Sequence, residues 1–346
     1  MECWLFCPAG ALCLKRRLTQ VPLAVSYVLP LKWSRECDRD ELGTYLNSLS
    51  HDCAEVIVVD GSDDANFQAN AEAWGAFLRH VRPDSDLQYV MGKANGVTTG
   101  LRRASEEKVV IADDDVRYDR DALVKVTELL DVYDLVRPQN YFPQPMPWHA
   151  KWDTARTLIN RATGADFPGT LGVRRSKFHE MGGYDGDVIF ENLELIRTIS
   201  SAGGRVCTAS DILVARLPST TGRFLSQRVR QAYDDFALPQ RMAVWLLLLP
   251  QTLWLWRRTK PALLLVAVGA VAVAEKGRRR DGGTRVFPVT ASLFAPLWLA
   301  ERAFCSWLAV GRYLTGGVPY GGGKIKRAAS TVKVLRGRTQ SRGGPS

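Results

Sequence analysis

Three consecutive carboxylates, Asp113-Asp114-Asp115, close the apolar run Val109-Val110-Ile111-Ala112. A short buried strand that ends in clustered acids carries negative charge to the edge of a sheet, where a cation or a specific partner must offset it. Hard divalent ions such as Mg²⁺ and Mn²⁺ take oxygen ligands and commonly share their coordination shell with a substrate's phosphates. The run is therefore a candidate metal site, although an Asp cluster taken alone is more often a solvated turn or a helix cap. A second acid, Asp60, stands in the equivalent place after Val56-Ile57-Val58-Val59.

The elements that must carry these acids follow from hydrophobic periodicity. Val21–Leu31 reads as an apolar strand, Asp40–Leu49 as a helix, Glu55–Val59 as a strand and Ala65–Arg79 as a helix. Leu87–Val90 reads as a short strand, Val97–Ala104 as a helix and Lys108–Ala112 as the strand before the acids. Such alternation predicts a parallel sheet with helices on both faces. Ligands then bind at the carboxyl ends of the strands, where both acidic positions lie.

Composition narrows the partners. The net charge of +10 is confined to one end, because residues 275–346 hold 14 Lys/Arg against Glu275, Asp281 and Glu301. This basic excess adjoins apolar segments, which points to anionic lipid rather than nucleic acid. No aromatic-interleaved basic groove or nucleic-acid motif is visible elsewhere. The seven cysteines (3, 7, 13, 37, 53, 207, 305) form no CxxC pair, a pattern that fits a reducing compartment. The four histidines are dispersed, so neither a zinc site nor a Cys-His nucleophile is favoured.

The motifs carry a resemblance. Val58-Val59-Asp60-Gly61-Ser62-Asp63-Asp64 resembles the V-D-x-G-S-x-D turn of inverting glycosyltransferases of family 2. Gly92-Lys93-Ala94-Asn95-Gly96-Val97-Thr98-Thr99-Gly100 is similar to their G-K-a-x-A-x-x-x-G segment, with Gly96 where Ala is usual. Asp113-Asp114-Asp115 looks like their D-x-D motif. Gly169–Ser176, then Gly182-Gly183-Tyr184-Asp185, then Phe190–Leu195 follow in the family's order over roughly residues 22–240.

The resemblance implies an α/β fold of the GT-A type, a mixed sheet flanked by helices, here followed by C-terminal membrane helices. It also implies a nucleotide-sugar donor and a divalent cofactor, Mn²⁺ or Mg²⁺, on Asp113 and Asp115, which would neutralise the departing diphosphate. Asp60 would then hydrogen-bond the nucleotide base or ribose, with Lys93, Asp114, Gln227 and Arg230 also on the donor side.

Two departures bear on chemistry. Relatives carry Glu-Asp in the acidic motif, where the Asp deprotonates the acceptor hydroxyl; here the pair is Glu191-Asn192, and Asn takes no proton at neutral pH. Either Glu191 assumes the role, or Glu194 reaches the site one turn on, or the protein is catalytically weak; Glu191 is the favoured reading. Processive relatives have Q-x-x-R-W, whereas this chain keeps Gln227 and Arg230 but has Gln231 in place of Trp, which argues against synthesis of a long polysaccharide. Trp148, His149, Trp152 and Asp153 lie where an acceptor could sit, beside Asn192.

Beyond Pro239 the composition changes. Met242–Trp256 and Pro261–Ala274 are apolar segments separated by Arg257-Arg258-Thr259-Lys260, each about 22 Å long at ~1.5 Å per residue and so short of the ~30 Å hydrocarbon core. Phe287–Val310 is a third segment, broken by Pro296, Glu301 and Arg302. Trp245, Trp254, Trp256 and Trp298 near segment ends favour a membrane. With Lys276–Arg280 and the tail both basic, the positive-inside rule favours a thin hairpin of the first two segments, an interfacial third, and a catalytic domain on the cytoplasmic face of the plasma (inner) membrane.

The expected organisation is a leader over 1–20 with an apolar stretch, a catalytic domain over 21–240, a membrane-associated helical region over 241–315 and a flexible basic tail over 316–346. The expected activity is non-processive transfer to a lipid-linked or glycan acceptor. The competing readings are a catalytically impaired, membrane-anchored nucleotide-sugar-binding scaffold and a nucleotidyltransferase. The latter lacks its phosphate loop, since Leu29–Arg35 fits one poorly.

Overall fold

The computed structural model describes residues 21–33, 38–164, 166–321 and 323–342, so the leader over 1–20 lies outside the described residues. The first half runs β1 (Leu23–Leu31), α1 (Arg39–Asp52), β2 (Cys53–Asp60), α2 (Asp64–Trp74), β3 (Arg79–Val81), α3 (Gly92–Arg103), β4 (Lys108–Ala112) and β5 (Val116–Arg117). It continues with α4 (Arg120–Leu129), β6 (Leu135–Tyr141), α5 (Trp148–Thr163), β7 (Thr170–Arg174), α6 (Arg175–Glu180), α7 (Glu191–Ser201) and β8 (Val206–Arg216).

The strands form a sheet in the order β3-β2-β1-β4-β7-β6-β8-β5. The foreseen parallel arrangement holds for β3, β2, β1 and β4. The remainder is mixed, because β7 runs antiparallel to both β4 and β6. β1, β2 and β4 read as nearly unbroken apolar runs because helices cover both faces of the sheet, and Val28, Ile57 and Val109 are fully buried.

Two glycines let α3 lie directly on the sheet. A Cβ at Gly100 would stand 2.2 Å from Val28 Cγ1, and one at Gly96 would stand 2.7 Å from Pro30 Cβ. This close approach is the physical content of the glycine spacing; the helix begins at Gly92 rather than at the expected Val97. The strand expected at Leu87–Val90 does not form. The sheet edge is instead Arg79–Val81, paired with Ile57–Val59, because α2 ends at Trp74 with Gly75 as its C-cap and frees the next residues to extend.

The C-terminal part comprises α8 (Thr221–Ser226), α9 (Arg228–Tyr233), α10 (Pro239–Arg258), α11 (Lys260–Arg279), α12 (Val289–Ser292), α13 (Ala295–Leu314), the hairpin β9 (Val318–Tyr320) and β10 (Gly323–Ile325), and α14 (Val332–Arg342). These elements share a core with the sheet domain. Ala155 and Leu158 of α5 cluster with Ala270, Ala274, Phe287 and the buried Trp298, and Met242, Cys305, Val318 and Ile325 join the cluster under α3 and α7. The free tail expected from residue 316 is therefore not what folds. Arg327 and Ala328 are strapped across the acidic motif, with Ile189 N–H on Arg327 O and Phe190 N–H on Ala328 O.

The outer faces of the helices are apolar. Trp254 and Trp256 are each 60% exposed, Leu265 is 72% exposed and Phe304 is 57% exposed. By length and composition one stretch among the described residues, Val289–Leu314, is apolar enough to cross a membrane, and part of it is buried within the fold. It is the third apolar segment, not the first two that were expected to form the hairpin.

Candidate active site

At the carboxyl ends of the strands opens a cavity of about 690 Å³ lined by Lys93, Asp113, Asp114, Asp115, Glu191 and Arg216, among others. The first turn of α3 supplies Lys93, the loop after β4 the three acids, the first turn of α7 Glu191 and the end of β8 Arg216. The loop after β4 is fixed from both sides. Asp113 N–H donates to Gly169 O at 2.9 Å, and Leu217 N–H donates to Asp115 O at 2.7 Å.

Lys93 is the hub. Its Nζ lies 2.6 Å from Asp113 Oδ1 and 2.7 Å from Glu191 Oε1, and it donates to Asn192 Oδ1 at 3.4 Å. Burial disfavours the ammonium, but the two carboxylates overcome this and raise its pKa well above the ordinary lysine value, so it stays charged. Arg216 is the second cation. Its Nε donates to Asp115 at 2.9 and 3.0 Å, and its Nη2 stands 3.5 Å from Asp113 Oδ2. Burial lifts the Asp113 carboxyl, yet Lys93 and Arg216 together hold it below its usual value. Asp115 is raised, because burial and the charges of Asp113 and Asp114 outweigh Arg216.

Gln227 and Arg230 line the same cavity, and Arg230 Nη1 donates to Gln227 Oε1 at 3.2 Å. Asp114 also faces it, accepting from the Trp33 indole at 3.1 Å.

Several expectations change. Asp60 is fully buried and does not line the cavity. Its Oδ1 accepts from Ser62 N–H at 2.8 Å, and its Oδ2 from Asn70 at 2.8 Å with His80 Nε2 at 3.0 Å. Burial pushes this carboxyl up, but the bonds from His80, Ser62 and Asn70 bring it down to about 2. Asp60 therefore shapes the turn through both of its oxygens. Glu194 is also fully buried, and its Oε2 accepts from Ser330 N–H at 2.5 Å. It fastens the C-terminal strap and does not face the cavity.

On the acceptor side, Trp148 and Trp152 pack in an aromatic cluster with His149 and Phe224 instead of lining the cavity. Asp153 does line it. It is spoken for by Arg156 at 3.2 Å and Arg228 at 3.3 Å, and against the cost of burial these arginines hold it at about 2. Asn192 reaches the cavity too, with Nδ2 donating to Pro168 O at 3.0 Å.

Residues 37–187 match the sequence profile of Glycosyl transferase family 2. This stretch is a family 2 glycosyltransferase domain. Its mixed, helix-flanked sheet is the GT-A arrangement, and the profile match supports a glycosyltransferase enzyme. The chain also has partial likeness to solved structures. A mannosyltransferase from Pyrobaculum calidifontis in complex with GDP-Man and Mn²⁺ is 18% identical with a TM-score of 0.45, over 87% of this chain and 78% of that one. Glucosyl-3-phosphoglycerate synthase from Mycobacterium tuberculosis is 17% identical with a TM-score of 0.40, over 57% and 74%. Mannosyl-3-phosphoglycerate synthase from Rubrobacter xylanophilus is 15% identical with a TM-score of 0.40, over 59% and 69%. No curated protein matches.

The matched stretch of the family 2 domain ends before Glu191, so half of the cavity wall comes from residues beyond it. Among those not read from the sequence are Arg216, Asp234 and Tyr320, all lining the cavity. Arg216 closes the apolar run Ile212-Leu213-Val214-Ala215 as the acids close β4, and Asp234-Asp235 is a visible acidic pair. Tyr320, in the hairpin, carried no signal.

Among the described residues no group of three or more His, Cys, Asp and Glu could hold a metal ion. Asp113 and Asp115 nevertheless converge on one cationic position, now filled by the Arg216 guanidinium. Two hard carboxylates facing a shared cation suit an ion whose remaining ligands come from a substrate's phosphates and water.

Proposed function

We propose that this glycosyltransferase moves a sugar, with inversion and one unit at a time, from a nucleotide-diphosphate sugar to a hydroxyl of a lipid-linked or membrane-proximal glycan acceptor. The observation that carries the reading is the Lys93 ammonium, held charged between Asp113 and Glu191 inside a cavity that also collects Arg216 and Arg230. Nine Lys/Arg against seven acids on the cavity wall suit a ligand that is itself a diphosphate, because the leaving group's negative charge grows as the glycosidic bond breaks.

Each residue then has a task. Asp113 and Glu191 orient Lys93 toward the phosphates, and Arg230, steadied by Gln227, meets them from α9. A Mn²⁺ or Mg²⁺ ion held by Asp113 and Asp115 would neutralise the diphosphate as a Lewis acid. With such an ion held by Asp113 and Asp115, the Arg216 guanidinium would be available to pair with phosphate oxygens. Gln231 in place of an aromatic residue supports single addition rather than processive synthesis.

The exposed faces of α10, α11 and α13, with Arg257-Arg258 and Lys276–Arg280 at the ends of α10 and α11, support a bilayer with anionic lipid against them, the catalytic domain being cytoplasmic. A nucleotide sugar and a membrane-bound acceptor would then meet at the cavity mouth.

The test is nucleotide-diphosphate release from a panel of nucleotide sugars by the detergent-purified chain, with Mn²⁺ and with Mg²⁺, in the presence of membrane lipid extract. Release from at least one donor is expected. Binding of a donor without release from any would favour the scaffold reading.

A further inference from the structure

Seven acidic side chains line the cavity, and six of them are engaged. Asp113 and Glu191 hold Lys93, Asp115 holds Arg216, and Asp153 holds Arg156 and Arg228. Asp235 holds Arg241 at 2.9 Å and Arg302 at 3.2 Å, and Asp114 accepts from Trp33. The exception is Asp234, whose buried Oδ1 has no hydrogen-bond partner among the described residues. Its neighbours on the same wall are alike, since Arg230 Nε and Gln231 Oε1 are also buried without partners. These three groups lie within five residues on a wall that lines the cavity, so a polar ligand in the cavity could meet them.

We infer that Asp234 is the base of the transfer proposed above. Its carboxylate takes the proton of the acceptor hydroxyl, the acceptor oxygen bonds the anomeric carbon, and the bond from that carbon to the diphosphate breaks with its electron pair leaving on the nucleoside diphosphate. The inference rests on the reading of the protein as an active nucleotide-sugar transferase.

The other acids are each tied to a cation or a donor. A general base needs a free lone pair aimed at the acceptor. Glu191 spends Oε1 on the ammonium it shares with Asp113, which makes it a positioning residue for Lys93. Asn192, where the family carries its base, is bound to Lys93 and Pro168 O and accepts no proton.

The electrostatics agree. Burial raises the Asp234 carboxyl to about 7 against the pull of Arg230 from α9; Asp235 and Glu191 of α7 add to the rise, and Arg302 of α13 opposes it. A carboxyl that titrates near neutrality is basic enough to accept a hydroxyl proton and still ionised in a useful fraction.

The experiment uses the full chain and measures the pH dependence of nucleotide-diphosphate release from a panel of UDP- and GDP-sugars, for wild type, Asp234→Asn, Asp234→Glu and Glu191→Gln. Binding of UDP and GDP is followed in parallel. We expect wild-type kcat to rise with pH through an acidic limb centred near 7, and Asp234→Asn to lose about 10²–10⁴ in kcat and the limb with it. Nucleotide affinity should stay within about twofold, because the residue meets the acceptor and not the donor. Asp234→Glu should keep part of the activity with a displaced limb, which also reports folding should the Asn variant be unstable. If Asp234→Asn retains the wild-type rate and limb, the inference is overturned while the transferase reading stands. If wild type binds nucleotide yet releases it from no donor, the transferase reading falls and this inference with it.

Discussion

Lys93 and Glu191, from the first turns of two helices far apart in sequence, meet in an ion pair of 2.7 Å on the cavity wall. Because Asp113 lies 2.6 Å from the same nitrogen, one ammonium compensates two carboxylates that would otherwise repel. Lys93→Met should therefore do two things. It should lower the melting temperature by leaving Glu191 without its cation and Asp113 with Arg216 alone, and it should weaken nucleoside diphosphate binding about 10- to 100-fold, the worth of a charged hydrogen bond. Calorimetric titration with UDP and GDP checks the second effect, and unchanged affinity would remove Lys93 from the donor site.

Asp115 tests the cation. Asp115→Ala removes one of the two protein ligands proposed for Mn²⁺ and leaves Arg216 to Asp113 alone. The Mn²⁺-dependent part of nucleotide binding should vanish, while the metal-free part persists. A Mn²⁺ enhancement equal to wild type in the variant would place the ion elsewhere.

Asp60 predicts a pH-dependent stability. Its carboxyl sits at about 2 in the folded chain, below the usual ~3.9, so its contribution is present above the unfolded value and fades as pH falls toward 2. Asp60→Asn should cost about 2 kcal/mol at neutral pH, and its melting curve should converge on that of wild type as the pH drops. A constant gap between the two down to pH 2 would show that the ionised carboxylate is not what stabilises the turn.

Gly100 tests the close approach of α3. Gly100→Ala drives a Cβ to 2.2 Å from Val28 Cγ1 and should destabilise by about 1–3 kcal/mol, as overpacking does. Gly222→Ala, where a Cβ meets nothing within 4 Å, should be neutral or slightly stabilising. Equal melting temperatures for the two variants would contradict the packing described.

Glu194 separates fold from chemistry. Because it receives Ser330 N–H and faces away from the cavity, Glu194→Gln should loosen the strap and lower the melting temperature. Turnover measured well below that temperature should remain within a fewfold of wild type. A loss of kcat with an unchanged melting curve would return the base to this position.

The parts of the site legible in the sequence are those written in local pattern. Apolar runs ending in acids located β2 and β4, and the glycine spacing located α3 and Lys93. What stayed hidden depends on distant pairing. That β7 runs antiparallel to β4 is a matter of register, and it is this pairing that sets Gly169 against Asp113. The intramolecular partners of Asp60 were hidden because Ser62, Asn70 and His80 come from a turn, a helix and the edge strand. The basic tail looked free because its composition is that of a solvated segment; Ser330 is fixed by Glu194 and Arg197, both on α7. The apolar helices were legible as apolar, but composition did not reveal that α11 and α13 bury one face against α5.

The central claim, single-displacement transfer at this cavity, is tested most directly by the anomeric configuration of the product. Proton NMR recorded early in turnover of whichever nucleotide sugar is consumed distinguishes the two anomers before mutarotation. The account predicts that the released or transferred sugar has the anomeric configuration opposite to that of the donor. Retention of the donor's configuration would contradict it.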